Sequence, residues 1–70
     1  KIVYSKHALE EMDAYGIERQ EVDSIIEKGM KWKEKDSGKY HARMAGFECV
    51  FMNKGGLLFV ITVYPSGGKK

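Results

Sequence analysis

Basic side chains alternate with other residues around a short turn in the middle of the 70-residue chain. The turn is Asp36-Ser37-Gly38, and a three-residue hairpin loop with its glycine in the left-handed conformation is a common geometry. In that register one side of the sheet carries six basic side chains, with Lys35 opposite Lys39, Lys33 opposite His41 and Lys31 opposite Arg43. Like charges set directly opposite one another destabilise a sheet, whereas a bound phosphate backbone neutralises them. The pattern therefore predicts an RNA-binding face.

Two other interpretations of this segment remain open. Alternating lysines on the solvent side of a strand also protect a sheet edge from aggregation, and that role requires no ligand. A two-residue loop, in turn, shifts the pairing by one residue and mixes the basic side chains with Glu34 and Tyr40. In that register the six basic side chains do not share a face.

His41 is the residue of this group that exchanges a proton near neutral pH. Beside lysines and Arg43 it could act as acid or base in cleavage of RNA at the 2′-hydroxyl, where developing charge must be stabilised. Neighbouring cations lower a histidine pKa and favour the base form. If the protein is an enzyme, we expect a metal-independent endoribonuclease with His41 and Arg43 as catalytic residues. An inert surface histidine is the alternative.

His7 and Tyr64 complete the predicted RNA-binding set of Lys31, Lys33, Lys35, Lys39, His7 and Tyr64. His7 lies one helical turn before Glu11, so a weak surface ion pair competes with a role at the end of the sheet. Tyr64 closes the last strand, where its ring could stack on a base or pack against protein. His7, His41 and Cys49 lack the ligand spacing of zinc sites, and we expect no metal and no other cofactor. Cys49, within an apolar strand, is expected in the core.

The elements that position these side chains follow from hydrophobic spacing. Ser5 is a good N-cap for a helix predicted over residues 6–15, which ends at Gly16, and a second helix is predicted over residues 18–28. Alternating residues then predict four antiparallel strands, over residues 30–35, 39–45, 47–53 and 57–64. Residues 2–4 form a short apolar lead-in, which could be an edge strand. The predicted fold class is α+β, with two N-terminal helices packed on a four-stranded antiparallel sheet.

Length and composition limit the number of domains, the location and the class of partner. Seventy residues are enough for one domain, predicted over residues 1–64 and followed by a flexible basic tail at 65–70. No apolar run approaches the roughly 20 residues that span a bilayer, and a lone cysteine gives no sign of an oxidising compartment. We therefore expect a cytoplasmic location and no membrane partner. Residues 1–28 carry a net charge of −3 and residues 29–70 a net charge of +5, an asymmetry that indicates a polyanionic partner.

A spaced pattern runs through residues 5–17, Glu21-Val22, Gly29 and residues 60–64. On this pattern the chain resembles a widespread prokaryotic family of small domains of unknown function, whose signature reads His-Ala, Arg-Met, Arg-Gly-Ile, a helical Glu-Val and a final Ile-Thr-Val-Tyr strand. That family is itself similar to the RelE/BrnT-like toxins of toxin–antitoxin systems. The matching positions in this chain are His7, Ala8, Met12, Gly16, Ile17, Thr62 and Tyr64.

The resemblance implies a compact ribonuclease fold of two helices and a sheet, with a cognate antitoxin as partner. Glu11 and Tyr15 stand where the family has arginines, so any RNA contact made by those arginines is absent or relocated here. Two hypotheses follow. The domain is toxin-like and binds or cleaves RNA through the basic sheet face, or it is a non-catalytic protein-interaction module of toxin–antitoxin ancestry that binds an antitoxin or another protein.

Overall fold

In the computed structural model, which describes residues 1–66, five strands form one mixed sheet and two helices cover one of its faces. Along the chain the elements are β1 (Ile2–Tyr4), α1 (Lys6–Tyr15), α2 (Arg19–Lys28), β2 (Met30–Lys33), β3 (Lys39–Met44), β4 (Phe47–Lys54) and β5 (Leu57–Pro65). The strand order is β1-β5-β4-β3-β2, with β1 parallel to β5 and the other neighbours antiparallel. The predicted α+β class is confirmed. The prediction of a four-stranded antiparallel sheet is wrong, because residues 2–4 add a fifth, parallel strand.

The helix boundaries follow from local capping. The hydroxyl of Ser5 accepts a hydrogen bond from the backbone N–H of Ala8 at 2.9 Å, which starts α1 as predicted. Gly16, at φ 71°, ends the helix, and the N–H of Ile17 donates back to the carbonyl of Met12 at 2.9 Å. Glu18 is the N-cap of α2 rather than its first residue.

The core lies between the helices and the inner face of the sheet. Its buried residues are Ala8, Met12, Ile17, Val22, Ile25 and Ile26 from the helical half, and Ala42, Cys49, Phe51, Val60 and Val63 from the sheet. Cys49 is fully buried, as expected. Burying an aliphatic or aromatic side chain of this size contributes about 1.5–3 kcal/mol to folding, so this contact holds the helices on one face. Within residues 1–66 the opposite face of the sheet carries no helix.

A β-bulge in β5 directs the side chains of the closing strand. Val50 pairs with Thr62, whereas Phe51 pairs with Val60, so Ile61 is the extra residue of β5. In a regular strand two residues three positions apart point to opposite faces. The bulge allows both Val60 and Val63 to be fully buried in the core, and it places Tyr64 on the helix-free face, opposite Glu48.

The hairpin formed by β2 and β3 has a different register from the predicted one. Trp32 pairs with His41 and Lys33 with Tyr40, which is the pairing of the two-residue-loop alternative, although residues 34–38 form the connection. Gly38 is left-handed as predicted, but so is Asp36, at φ 72°. A shift of one residue moves every side chain of a strand to the other face. Lys31 and Lys33 therefore lie on the helix side, and the predicted face of six basic residues does not form.

Strand ends differ from the prediction at several places. β2 ends at Lys33 and not at Lys35, while β5 runs to Pro65, which pairs with Phe47. Pro65 therefore belongs to the sheet and not to the predicted tail, and residues 67–70 lie outside the described residues. Within residues 1–66, neither helix is long and apolar enough to cross a membrane.

Gly29 joins α2 to β2 at a point where the backbone comes close to other elements. A Cβ at this position would lie 2.5 Å from the carbonyl oxygen of Ile25 and 2.7 Å from that of Arg43. We expect Gly29→Ala to lower the free energy of unfolding by about 2–3 kcal/mol, because backbone atoms must move apart. Urea denaturation measures this change.

Gly16→Ala is the matched control. A Cβ there meets no atom within 4 Å, and the cost comes from φ 71° alone, at about 1–2 kcal/mol. Steric crowding at Gly29 is refuted if Gly29→Ala is no less stable than Gly16→Ala.

Candidate functional site

The helix-free face of the sheet carries a histidine whose two ring nitrogens both contact carboxylates. His41 Nδ1 lies 2.6 Å from Glu48 Oε2, and His41 Nε2 lies 2.5 Å from Glu34 Oε2. An ionised carboxylate only accepts hydrogen bonds, so each ring nitrogen must carry a hydrogen and donate a hydrogen bond to its carboxylate. The ring is therefore held as the doubly protonated imidazolium, between one carboxylate after β2 and one on β4.

Glu48 is the most buried member of this cluster, with its side chain 9% exposed. The hydroxyl of Tyr64 donates to Glu48 Oε2 at 2.6 Å, the same oxygen that contacts His41. Arg43 Nε lies 3.5 Å from Glu48 Oε1. A buried charge is costly unless it is paired and hydrogen-bonded, and these three partners satisfy that requirement.

Trp32 covers the histidine from the edge strand. Its ring stacks on His41, with ring centroids 5.1 Å apart and planes inclined by 10°. The guanidinium of Arg43 lies 5.3 Å from the Trp32 ring centroid, within range of a cation–π interaction. We call the set of Trp32, Glu34, His41, Arg43, Glu48 and Tyr64 the His41 cluster.

The carboxylates determine the charge of the ring. Partial burial disfavours the charged form, but the hydrogen bonds and negative charges of Glu34 and Glu48 outweigh it, so the pKa of His41 is raised. The prediction that neighbouring cations would lower this pKa is wrong, because two carboxylates lie closer. The hydrogen bond with His41 lowers the pKa of Glu34.

The pKa values of Glu48 and Tyr64 are shifted in opposite directions. Burial raises the pKa of Glu48, but hydrogen bonds with Tyr64 and His41 outweigh it and hold the pKa below its usual value. Burial and the hydrogen bond to Glu48 raise the pKa of Tyr64 to about 12. Between the lowered pKa values of the two carboxylates and the raised pKa of His41, the cluster therefore holds two carboxylates, an imidazolium, a guanidinium and a neutral phenol.

The predicted site residues are divided between different parts of the molecule. Lys39, His41, Arg43 and Tyr64 share the helix-free face. Lys31 instead donates to the carbonyls at the end of α2, including that of Ile26 at 2.8 Å.

Lys33 lies over the Tyr40 ring, with Nζ 5.6 Å from its centroid. Lys35 is exposed in the turn between β2 and β3. His7 lies on α1, 4.0 Å from Glu11 Oε2 and away from the His41 cluster, which is the surface ion pair given as the alternative. The structure thus brings together four of the eight predicted residues.

Sequence reasoning missed three members of the cluster: Trp32, Glu34 and Glu48. Glu48 carried a usable signal, since it is the sole charge in the apolar run Phe47–Met52 and a charge in such a strand requires buried partners. Its partners could not be named without the strand register. Within residues 1–66 no three His, Cys, Asp or Glu side chains are placed to hold a metal ion.

A groove of about 440 Å³ lies apart from this cluster, between α2 and the turn that joins β3 to β4. It is lined mainly by apolar side chains, among them Ile17, Met44 and Phe47. Its one acidic residue, Glu21, accepts a hydrogen bond from the N–H of Glu18 at 2.7 Å. Acid–base groups are thus concentrated in the His41 cluster.

Comparisons with known proteins place the chain among small domains. Residues 4–65 match the profile of a domain of unknown function, DUF4258. The toxin–antitoxin complex RelBE2 from Mycobacterium tuberculosis contains a chain of similar fold, with a TM-score of 0.63, 9% sequence identity and coverage of 94% of this chain and 96% of that chain. At this identity the likeness concerns the fold alone. No curated protein matches the sequence significantly.

The raised pKa of His41 makes stability depend on pH. His41 stabilises the fold fully below its unfolded pKa of about 6.5, and this contribution is lost as pH rises through the higher folded pKa. The lowered pKa values of Glu34 and Glu48 act oppositely, since their contribution is present above about pH 4.5 and lost as pH falls through the folded values. We expect the cluster to stabilise the fold most between about pH 4.5 and 6.5.

Urea denaturation across the pH range measures this profile. In His41→Gln the decline of stability above about pH 6.5 should disappear, because the amide does not titrate. An unchanged decline in that variant would assign the pH dependence to another group.

The two carboxylates should differ in their contribution to stability. The Glu48 side chain is 9% exposed and has three partners, whereas that of Glu34 is 37% exposed. We expect Glu48→Ala to lower the free energy of unfolding by about 2–4 kcal/mol, and Glu34→Ala to lower it by less. Denaturation at about pH 6 compares them, and equal losses would contradict a central role for Glu48.

Proposed function

The chain belongs to the DUF4258 family of domains of unknown function, and we propose that it is a non-catalytic protein-interaction module of toxin–antitoxin ancestry. Its partner, in this proposal, is an antitoxin or a similar protein that covers the helix-free face of the sheet. The toxin–antitoxin ancestry is supported by the fold shared with a chain of the RelBE2 complex.

The double hydrogen bonding of His41 is the observation that carries this proposal. A general base must offer a free lone pair to the proton that it abstracts. Both ring nitrogens of His41 are already engaged with carboxylates, at 2.5 and 2.6 Å, and the raised pKa favours the charged ring. The histidine is built into the sheet as a cross-link between strands, which argues against the catalytic role predicted for it.

The distribution of charge also argues against a phosphate-binding face. Lys39, His41 and Arg43 share that face with Glu34 and Glu48, and the two carboxylates offset part of the positive charge. Lys31 and Lys33 are engaged on the other side. Strong, salt-sensitive RNA binding needs several cations that neutralise phosphates together, which this arrangement does not favour.

The helix-free face offers apolar surface to a protein instead. Met52 and Phe59, both partly exposed, lie on it next to one another, according to the pairing of β4 and β5. Leu57, on the same face, is 37% exposed. Apolar side chains next to polar ones on an open face are typical of protein-binding surfaces.

RNA binding or cleavage remains the second candidate. Arg43, half exposed, and the partly exposed ring of Trp32 lie side by side on the helix-free face, and a cation next to an aromatic ring can hold a phosphate and stack on a base. In this version His41 would act as a general acid, with Arg43 and Lys39 binding phosphate.

Incubation with RNA distinguishes the two candidates. We expect no cleavage by the purified protein that exceeds the cleavage by His41→Gln, because neither nitrogen of His41 is free. RNA binding at about 50 mM salt should be weak and should change little at about 200 mM. Cleavage that His41→Gln abolishes would establish the second candidate and refute the first.

Two leucines of equal exposure test the protein-binding face. Leu57 on the sheet is 37% exposed and Leu9 on α1 is 36% exposed. A tagged copy of the protein, purified from its own host, should retain a stoichiometric protein partner in the wild type and in Leu9→Asp, and lose it in Leu57→Asp. Loss of the partner in Leu9→Asp alone would place the interface on the helices and refute this part of the proposal.

A further inference from the structure

Four apolar side chains that are at least partly exposed form a strip across the helix-free face, made up of Val3, Met52, Leu57 and Phe59. Phe59 pairs with Val3 of β1 on one side and with Met52 of β4 on the other, and Met52 pairs with Lys39 of β3. None of the four belongs to the core beneath the helices. The apolar strip thus crosses three neighbouring strands, β1, β5 and β4, and Lys39 continues the row onto β3.

Cations without acidic partners flank the apolar strip. Lys39 lies beside Met52, and Lys54 lies opposite Leu57. Within residues 1–66 neither lysine takes part in an ion pair. Glu34 and Glu48 offset part of the positive charge of this face, and Lys39 helps to lower the pKa of Glu34, but both carboxylates are hydrogen-bonded to His41 and form no ion pair with either lysine.

The apolar strip and the two lysines together favour one class of partner over the others that an open sheet face could bind. Two copies of the chain that met face to face would bring Lys39 and Lys54 of each copy near those of the other, and like charges oppose association. RNA would match the cations but would leave aliphatic side chains such as Leu57 and Val3 against a charged backbone. A protein segment with apolar and acidic residues matches both features.

We propose that the apolar strip, together with Lys39 and Lys54, binds an acidic amphipathic helix of a partner protein. The inference rests on the proposed function, since it specifies the chemistry of the protein partner. With Lys39 included, the row crosses four strands, which at a spacing of about 4.8 Å makes about 14 Å and corresponds to roughly ten helical residues. The apolar side of the helix covers Met52 and Phe59, and its Asp and Glu side chains lie near the two lysines.

Titration of the labelled protein with synthetic peptides tests this inference. The probe is a helical peptide of about 14 residues with leucines at i, i+3 and i+4 spacing and flanking glutamates, and its control carries lysine at every glutamate position. We expect the acidic peptide to shift the NMR resonances of Lys39, Met52 and Phe59, to bind more weakly as salt increases, and to bind at least about tenfold more tightly than the lysine peptide.

Charge reversal provides the matched variants. Lys39→Glu combined with Lys54→Glu should weaken binding of the acidic peptide by about tenfold or more, whereas Lys6→Glu, on the exposed side of α1, should change it less than about twofold. Retained signal dispersion shows that each variant is folded. Equal binding of both peptides, absence of binding, or shifts confined to α1 and α2 would each overturn the inference.

The leucine variants separate this inference from the proposed function. If the acidic peptide does not bind while Leu57→Asp still removes the host partner, the chemistry assigned to the partner is wrong and the interaction face stands. If Leu57→Asp keeps the partner, the proposed function itself fails.

Discussion

The ion pair network around His41 connects four of the five strands through side chains. Trp32 and Glu34 reach the ring from β2 and the residue after it, His41 belongs to β3, and Glu48 and Tyr64 belong to β4 and β5. One imidazolium between two carboxylates leaves a single negative charge, which Arg43 offsets. Because each charged group of the cluster is hydrogen-bonded or ion-paired to another member, the polar groups of this face can be partly buried without an unpaired charge.

The edge strand β2 depends on this network more than on burial. All four of its residues are exposed, so little apolar contact holds it against β3. Trp32 attaches it to His41 on one face, and Lys31 attaches it to the end of α2 on the other, where the ammonium also suits the negative end of the helix dipole. A short exposed strand is thereby kept in a single register.

The same network shapes what the helix-free face can do. Glu34 and Glu48 are hydrogen-bonded to His41 within the His41 cluster, and the apolar strip with Lys39 and Lys54 remains available to a partner. A fold shared with a chain of a toxin–antitoxin complex does not transfer an activity, because chemistry depends on individual side chains. Here both ring nitrogens of His41, the residue predicted to be catalytic, are hydrogen-bonded to carboxylates.

Local features were readable from the sequence alone. Ser5, Gly16 and Gly29 mark the helix ends, since caps and left-handed residues depend on a few neighbouring atoms. The α+β class followed from the change of hydrophobic period, and Cys49 was correctly assigned to the core. Three of the predicted site residues, Lys39, His41 and Arg43, share one face because alternate residues of β3 lie on the same side of the sheet.

Tertiary structure decided everything that depends on pairing between distant segments. The parallel pairing of β1 joins Val3 to Phe59, and a three-residue segment carries no local signal for a partner so far along the chain. The register of β2 on β3 depends on a loop in which Asp36 adopts a positive φ, which the expected turn did not require. Since one residue of slip exchanges the two faces, that loop separated the lysines of β2 from His41 and brought Glu34 to it.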